Sequence, residues 1–261
     1  MENILRAENL CISFGGLAAV KNVSFMIPQN KIVSLIGPNG AGKTTIFNII
    51  TGFYQADSGT VELCGEIINH VPPEKRIALG MARTFQNVRL FRQMTVLENV
   101  MIGNRKHIHY NPVDGLLHTK KWRRGEDAAK SECCEILERI GLLEEKDEIC
   151  SNLPYGKQKK LEIARALASR PKLLLLDEPA AGLNPQETHE LSTFVRALPS
   201  ETLSVLLIEH DMSMVMNISD YIYVVNQGEK LAEGLPEQVK NNQDVIDAYI
   251  GRGGIKKLAE G

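Results

Sequence analysis

No stretch of about 20 consecutive apolar residues, the length a bilayer-spanning helix needs, occurs in the 261-residue chain. Work at a membrane would therefore go through partners. Cysteine is sparse: Cys11, Cys64, Cys133, Cys134 and Cys150, an odd number with no C-x-x-C pair. Such a set cannot close completely into disulfides, and a reducing cytosolic compartment is expected. A surplus of one charge sign is also lacking. The formal net charge of −2 gives no bias toward polyanions and argues against a nucleic-acid binder. Internal repeats and low-complexity linkers are missing too. The opening MENILRAENLC is too acidic, and its apolar run too short, for a signal peptide.

What is present is ordinary globular composition, 43% hydrophobic and 24% charged, on a chain long enough to bury roughly 70–75% of its unfolded surface. Residues Ile4 to Ile27 read as short strands broken by FGG. KIVSLI (Lys31–Ile36) is a continuous apolar run of the kind a buried strand shows, with a helix expected from Gly42 to about Ile50. TVELC follows the turn signal ADSG. From Val96 to Ser151 the texture is helical, and strand–helix alternation resumes with KLLLLDE, ETHELSTFVRAL, LSVLLIEH and DYIYVVNQG. That alternation predicts an α/β fold with a parallel sheet covered on both faces. PEQVKNNQDVIDAYIG reads as a short helical pair.

GPNGAGKTT, Gly37 to Thr45, matches G-x-x-x-x-G-K-[ST] directly after an expected strand and at a helix start. Gly37, Pro38, Asn39, Gly40, Ala41, Gly42, Lys43, Thr44 and Thr45 would cradle phosphates, because glycines let successive backbone N–H groups curl around oxygen and the helix dipole favours anions. Lys43 would reach the β- and γ-phosphates, and the Thr44 hydroxyl would hold Mg²⁺. In KLLLLDEP, Asp177 stands at the carboxyl end of an expected strand, where open α/β sheets bind ligands, and would face the metal. Glu178 is placed to orient or deprotonate water; otherwise it is a helix-capping or surface glutamate.

Together these segments resemble the ATP-binding subunits of ABC transporters over nearly the whole chain. The resemblance implies a P-loop NTPase (RecA-like) core with an antiparallel β subdomain and an inserted helical subdomain. The expected layout is one nucleotide-binding domain over 1–250, with the ATPase core and β subdomain in 1–92 and 158–240, helical residues 93–157, an insertion near 104–126 and a flexible tail at 251–261. TFQN carries Gln86, which looks like the Q-loop glutamine that meets Mg²⁺ and the water. LIEHD carries His210, similar to the switch histidine at the γ-phosphate. AGLN stands at the expected D-loop, with Asn184 as a nucleotide contact, and SFGG offers Phe14 to stack on adenine.

RTFQNVRLFRQMTVLENV, LDEPAAGLNP and LIEHDMSMVMNISDYIYVVNQG are most similar to the branched-chain amino acid (Liv-type) importer ATPases, and HIHYNPVDGLLHTKKWRRGE (His107–Glu126) fits that group's insertion. Urea and lipopolysaccharide transporter ATPases share much of the pattern. His107 and His109 read as a solvated loop rather than a metal pair. The cluster Lys120, Lys121, Arg123 and Arg124 reads either as a contact to headgroups or a membrane subunit or as a polar helix start. The family's Leu-Ser-Gly-Gly-Gln signature falls on Leu153, Pro154, Tyr155, Gly156 and Lys157, of which Leu153 and Gly156 keep the nucleotide-reading pattern. Proline removes both the hydroxyl and an N–H, though it suits a first helical turn. Lys157, Lys159 and Lys160 either replace the lost donors electrostatically or form a wet helix face.

The resemblance further implies two ATPase subunits in a head-to-tail pair, each ATP held between one subunit's phosphate loop and the other's signature. Two integral membrane permease subunits and a substrate-binding protein complete the assembly, on the cytoplasmic face of a bacterial or archaeal plasma membrane. Differential binding of ATP to the closed pair does the work. An altered signature points to a non-identical partner ATPase. Two rivals remain: a soluble ABC ATPase of DNA repair or translation, which would carry long coiled coils or two cassettes, and a P-loop kinase, which the order Gln86, Asp177, Glu178, His210 disfavours.

Overall fold

The half-polar segments near the start fold back on themselves at the FGG turn. In a computed structural model that describes residues 2–105, 119–200 and 202–250, β1 (Asn3–Phe14) and β2 (Leu17–Pro28) form an antiparallel hairpin. β4 (Ser58–Leu63) pairs with the other edge of β1, and the short β5 (Glu66–Ile67) closes this four-stranded antiparallel sheet. The continuous apolar runs become β3 (Ile32–Ile36), β7 (Leu173–Asp177), β8 (Ser204–Ile208) and β9 (Tyr221–Asn226) of a second sheet, which with β6 (Met81–Arg83) and β10 (Glu229–Gly234) is ordered β10-β9-β3-β8-β7-β6. Every residue of β3, β7 and β8 is buried, as a parallel sheet covered on both faces requires. The α/β class and the antiparallel subdomain agree with the expectation from sequence.

Two strands carry no clear sequence signal. β6 (Met81–Arg83) pairs in parallel with β7, and three residues are too few to show a period. β10 (Glu229–Gly234) runs antiparallel to β9 across a turn at Gln227 and Gly228, whose φ values are 49° and 83°. Left-handed backbone at both central positions is what a two-residue hairpin of this twist demands.

The chain divides into two compact units: residues up to Arg83 with those from Lys172 onward, and Thr84–Pro171. In the first, both sheets enclose α1 (Lys43–Thr51), whose Ile46, Phe47 and Ile50 join one core with Leu5, Leu35 and Leu175. α2 (Pro73–Ala78) brings Arg76 into this core, 2% exposed. Its guanidinium donates to the carbonyls of Ile49 and Ile50 near the end of α1, and to those of Ile68, Asn69 and Val71. A cation there satisfies the orphan acceptors of a helix terminus. Burial lowers its pKa only to about 10, so it stays charged at neutral pH. The second unit packs α3 (Val96–Asn104) against α4 (Lys120–Arg139) and α5 (Tyr155–Leu167). α3 begins in a Thr95–Glu98 capping box. It approaches α5 so closely that a Cβ on Gly103 would lie 2.0 Å from the Arg165 carbonyl oxygen.

α6 (Pro185–Arg196) and α7 (Met212–Ile218) follow β7 and β8. The expected helical pair is α8 (Pro236–Lys240) and α9 (Gln243–Ile250). The His107 and His109 reading, most of the insertion and the tail at 251–261 lie outside the described residues.

Arg76→Met takes the guanidinium donors from five carbonyls, those of Ile49, Ile50, Ile68, Asn69 and Val71, of which Ile49 and Ile68 keep a backbone N–H donor. A loss of roughly 2–4 kcal/mol of folding free energy is expected, measured by denaturant titration of the full chain.

Candidate active site

The strand order places the carboxyl ends of β3, β8 and β7 side by side, and the chemistry-bearing residues of the first unit leave from those ends. After β3 the chain turns through Gly37 to Gly42 into α1. Gly37 has φ 153° and Gly42 φ 104°. A Cβ would lie 2.0 Å from the Val225 carbonyl oxygen at the first position and 2.8 Å from that of Ala19 at the second. Only glycine allows this curl, the one that lets successive N–H groups wrap a phosphate. The loop is braced from β1–β2 and β9–β10: Gly228 N donates to Ala41 O, and Lys21 N to Gly228 O.

Lys43 is buried and its Nζ donates to the loop's own carbonyls, Gly37 O at 2.6 Å and Pro38 O at 3.1 Å. Desolvation lowers its pKa, while Glu178 and Asp177 pull it back up. The lysine and the two carboxylates are therefore close enough to feel one another's charge. Asp177, buried at the end of β7, takes a hydrogen bond from Arg83 Nη2 at 2.7 Å. Arg83 also reaches Asn48 Oδ1 and lies over the Phe47 ring. Thr44 stands exposed at the first turn of α1. Hydroxyl and carboxylate oxygens are the hard donors Mg²⁺ takes, and a buried cation beside a glycine loop suits a nucleotide's phosphates. The residues present therefore fit both groups.

Glu178 holds a left-handed backbone, φ 49°, which costs a non-glycine residue about 1–3 kcal/mol and clusters at functional sites. Its own N–H donates to Ile208 O at 2.9 Å. Its carboxylate Oε1 pairs with His210 Nε2. A general-base candidate and the switch-histidine candidate are thus in direct contact.

Two contributors have no motif to announce them in the sequence. Glu209, 3% exposed, accepts from the backbone N–H of Ala180 at 2.6 Å and of His210 at 2.9 Å. Burial pushes its pKa up, and these N–H groups with that of Asp211 oppose the shift. Tyr249, on α9, hydrogen-bonds the Gly37 backbone, and burial raises its pKa. Only the burial of LIEHD and the docking of α9 reveal either one.

The other expected residues are placed as follows. Phe14 is exposed with Tyr54 edge-on, ring centroids 5.2 Å apart. Asn184 caps α6, its Oδ1 accepting from Glu187 N at 2.9 Å in a reciprocal capping box. Gln86, Leu153 and Gly156 belong to the second unit. Leu153 and Gly156 are buried, and Pro154 is the N-cap of α5 rather than a member of its first turn.

Of these lysines, Lys159 is buried and does not belong to a wet face, while Lys157 is partly exposed. Lys157 pairs with Glu145, and Lys159, 2% exposed, donates to the backbone carbonyl of Gln86 at 2.6 Å. Glu162 is one helical turn on. It is buried, with its pKa raised by desolvation, and it accepts from Arg89 N at 3.1 Å and from the Phe85 backbone. Arg165 continues the row, pairing with Glu162 at 3.8 Å and lying over the Phe91 ring. Spacing i, i+3, i+6 puts all three on one face of α5, and that face grips the segment Phe85–Phe91.

Residues 20–181 match the family model described as ABC transporter. The chain belongs to the ABC transporter family. Residues 229–255 also match the model described as branched-chain amino acid ATP-binding cassette transporter. The high-affinity branched-chain amino acid transport ATP-binding proteins LivG of Escherichia coli and BraF of Pseudomonas aeruginosa are 50% and 49% identical to it, over 95% of this chain and 98% of each of theirs. The solved ADP conformation of an ATP-binding cassette of an ABC transporter superposes with a TM-score of 0.83 at 35% identity, covering 96% of this chain and all of that one. As an ABC ATPase the chain binds ATP and couples its hydrolysis to transport. Among the described residues no helix is long and apolar enough to cross a membrane.

Lys159→Met keeps the buried stem and removes the donor to Gln86. It is expected to cost roughly 1–2 kcal/mol and to speed amide exchange in the peptide spanning residues 85–91, read by hydrogen–deuterium exchange mass spectrometry.

Proposed function

We propose that this chain hydrolyses ATP to energise uptake of branched-chain or related hydrophobic amino acids through partner membrane subunits. The observation that carries the enzymatic half is the convergence of Lys43, Asp177, Glu178 and His210 at adjacent strand ends. The substrate half rests on similarity: the C-terminal match at 229–255 and the near-full-length likeness to LivG and BraF. Lys43 and the Gly37–Gly42 backbone hold the phosphates, and Phe14 takes the adenine. Thr44 and Asp177 would hold Mg²⁺, which when bound neutralises phosphate charge. Glu178 orients the water and draws its proton, and His210 fixes the Glu178 carboxylate. The chain serves as a peripheral subunit on the cytoplasmic face of the membrane, with two permease subunits and a substrate-binding protein.

The paired ATPase is a non-identical chain. Pro154 offers neither hydroxyl nor N–H at the cap of α5, Lys157 is engaged by Glu145, and Lys159 by Gln86. No lysine of that pair is therefore left to stand in for the missing serine, and this chain reads its partner's ATP weakly. Its own phosphate loop, faced by an intact signature, makes the strong site.

Glu178→Gln should retain ATP binding while hydrolysis in the assembled transporter falls by about 10²–10⁴, followed by phosphate release and nucleotide titration; near-normal turnover would overturn the role of Glu178. The same variant purified alone should stay monomeric with ATP by light scattering. Tight homodimers would overturn the non-identical pairing, as would unchanged transport-coupled hydrolysis after Pro154→Ser.

A further inference from the structure

We propose that Glu209 is a positioning residue for hydrolysis: its carboxylate ties the loop that carries Glu178 to the loop that carries His210, and so sets the contact between them. The proposal rests on the reading that Glu178 and His210 act in hydrolysis.

Glu209 follows β8 directly, and Glu178 follows β7. The strands are neighbours in parallel register, with Asp177 opposite Ile208. One oxygen of Glu209, Oε1, takes the N–H of Ala180, two residues beyond Glu178; the other, Oε2, takes the N–H of His210. Asp211 N adds a third donor. A single buried carboxylate therefore bridges both loops beside the Glu178–His210 pair.

The strained backbone of Glu178 explains why such a bridge is needed. A left-handed glutamate persists only where its surroundings over-determine it. Here the hold comes from both sides: Glu178 N on Ile208 O before the turn, and Ala180 N on Glu209 after it. A carboxylate is the only side chain of this size whose two oxygens are both acceptors. Glutamine keeps the shape but turns an NH₂ toward one of the N–H groups, releasing one loop or the other.

The test is a double-mutant cycle of Glu209→Gln and His210→Ala in the full chain within the assembled transporter. It reads kcat and KM for ATP, nucleotide affinity and melting temperature. Glu209→Gln should lower kcat by about tenfold or more while KM and ATP affinity change by less than about twofold, and in the His210→Ala background it should add less than about twofold, since residues acting as one unit are non-additive. An unchanged kcat, a loss carried by KM or affinity, or an equal loss in both backgrounds overturns the proposal. Should the glutamine variant fail to fold, Glu209→Asp keeps the charge one methylene short and carries the same cycle with the same criteria. If His210→Ala alone leaves kcat intact, the role of His210 fails and this proposal with it. A loss at His210→Ala without one at Glu209→Gln sinks only the proposal.

Discussion

Parallel pairing of β7 with β8, held in register from Leu173–Ser204 to Asp177–Ile208, is the constraint on which the site depends. The next residue along each strand is an acid, Glu178 or Glu209, and the one after Glu209 is the histidine. Had the register slipped by one residue, every side chain of a strand would change face, and Asp177 would leave the side occupied by Arg83 and Lys43. Every residue of both strands is buried, so a slip would force side chains of different size into close-packed neighbours on both faces. Core packing in this chain is thus what sets catalytic geometry.

A second theme is the use of buried charge to fasten loops. Arg76 takes up the carbonyls at the end of α1, Glu209 the N–H groups of two loops, and Lys159 and Glu162 the backbone of the segment after β6. Burying an unpaired charge costs several kcal/mol, and each of these groups meets that cost with two or more hydrogen bonds or a charge partner. The bonds go chiefly to backbone atoms. Irregular segments that no sheet or helix could satisfy are thereby given one conformation.

The signature segment gains definition from the same theme. Lys157 and Lys159 are structural, joined to Glu145 and to the Gln86 carbonyl, so their positive charge in NLPYGKQKK belongs to the framework of the second unit. Toward the other end of the chain, α9 sends Tyr249 to the Gly37 backbone, and the match to the branched-chain amino acid family covers that helix. A region that reads as peripheral in composition thus touches the base of the phosphate loop.

Much of the site is legible in the order of amino acids. The phosphate loop, Asp177 and Glu178 are announced by local motifs on apolar runs, and the α/β class by their alternation, because each is a local consequence of glycine freedom, strand period or strand ending; His210 stands out only through the family resemblance. Less visible are β6, too short for periodicity, and Glu209, a glutamate whose charge reads as surface until both neighbouring loops are seen to enclose it. Lys159 is hidden for the same reason: an i, i+3, i+6 row of charges is solvated on most helices and buried only where another segment lies across it. Sequence alone determined which residues are candidates for the chemistry and on what kind of element they stand. Tertiary structure alone decided which charges are buried and which backbone groups they hold, because burial is a property of what packs against a residue and not of the residue itself.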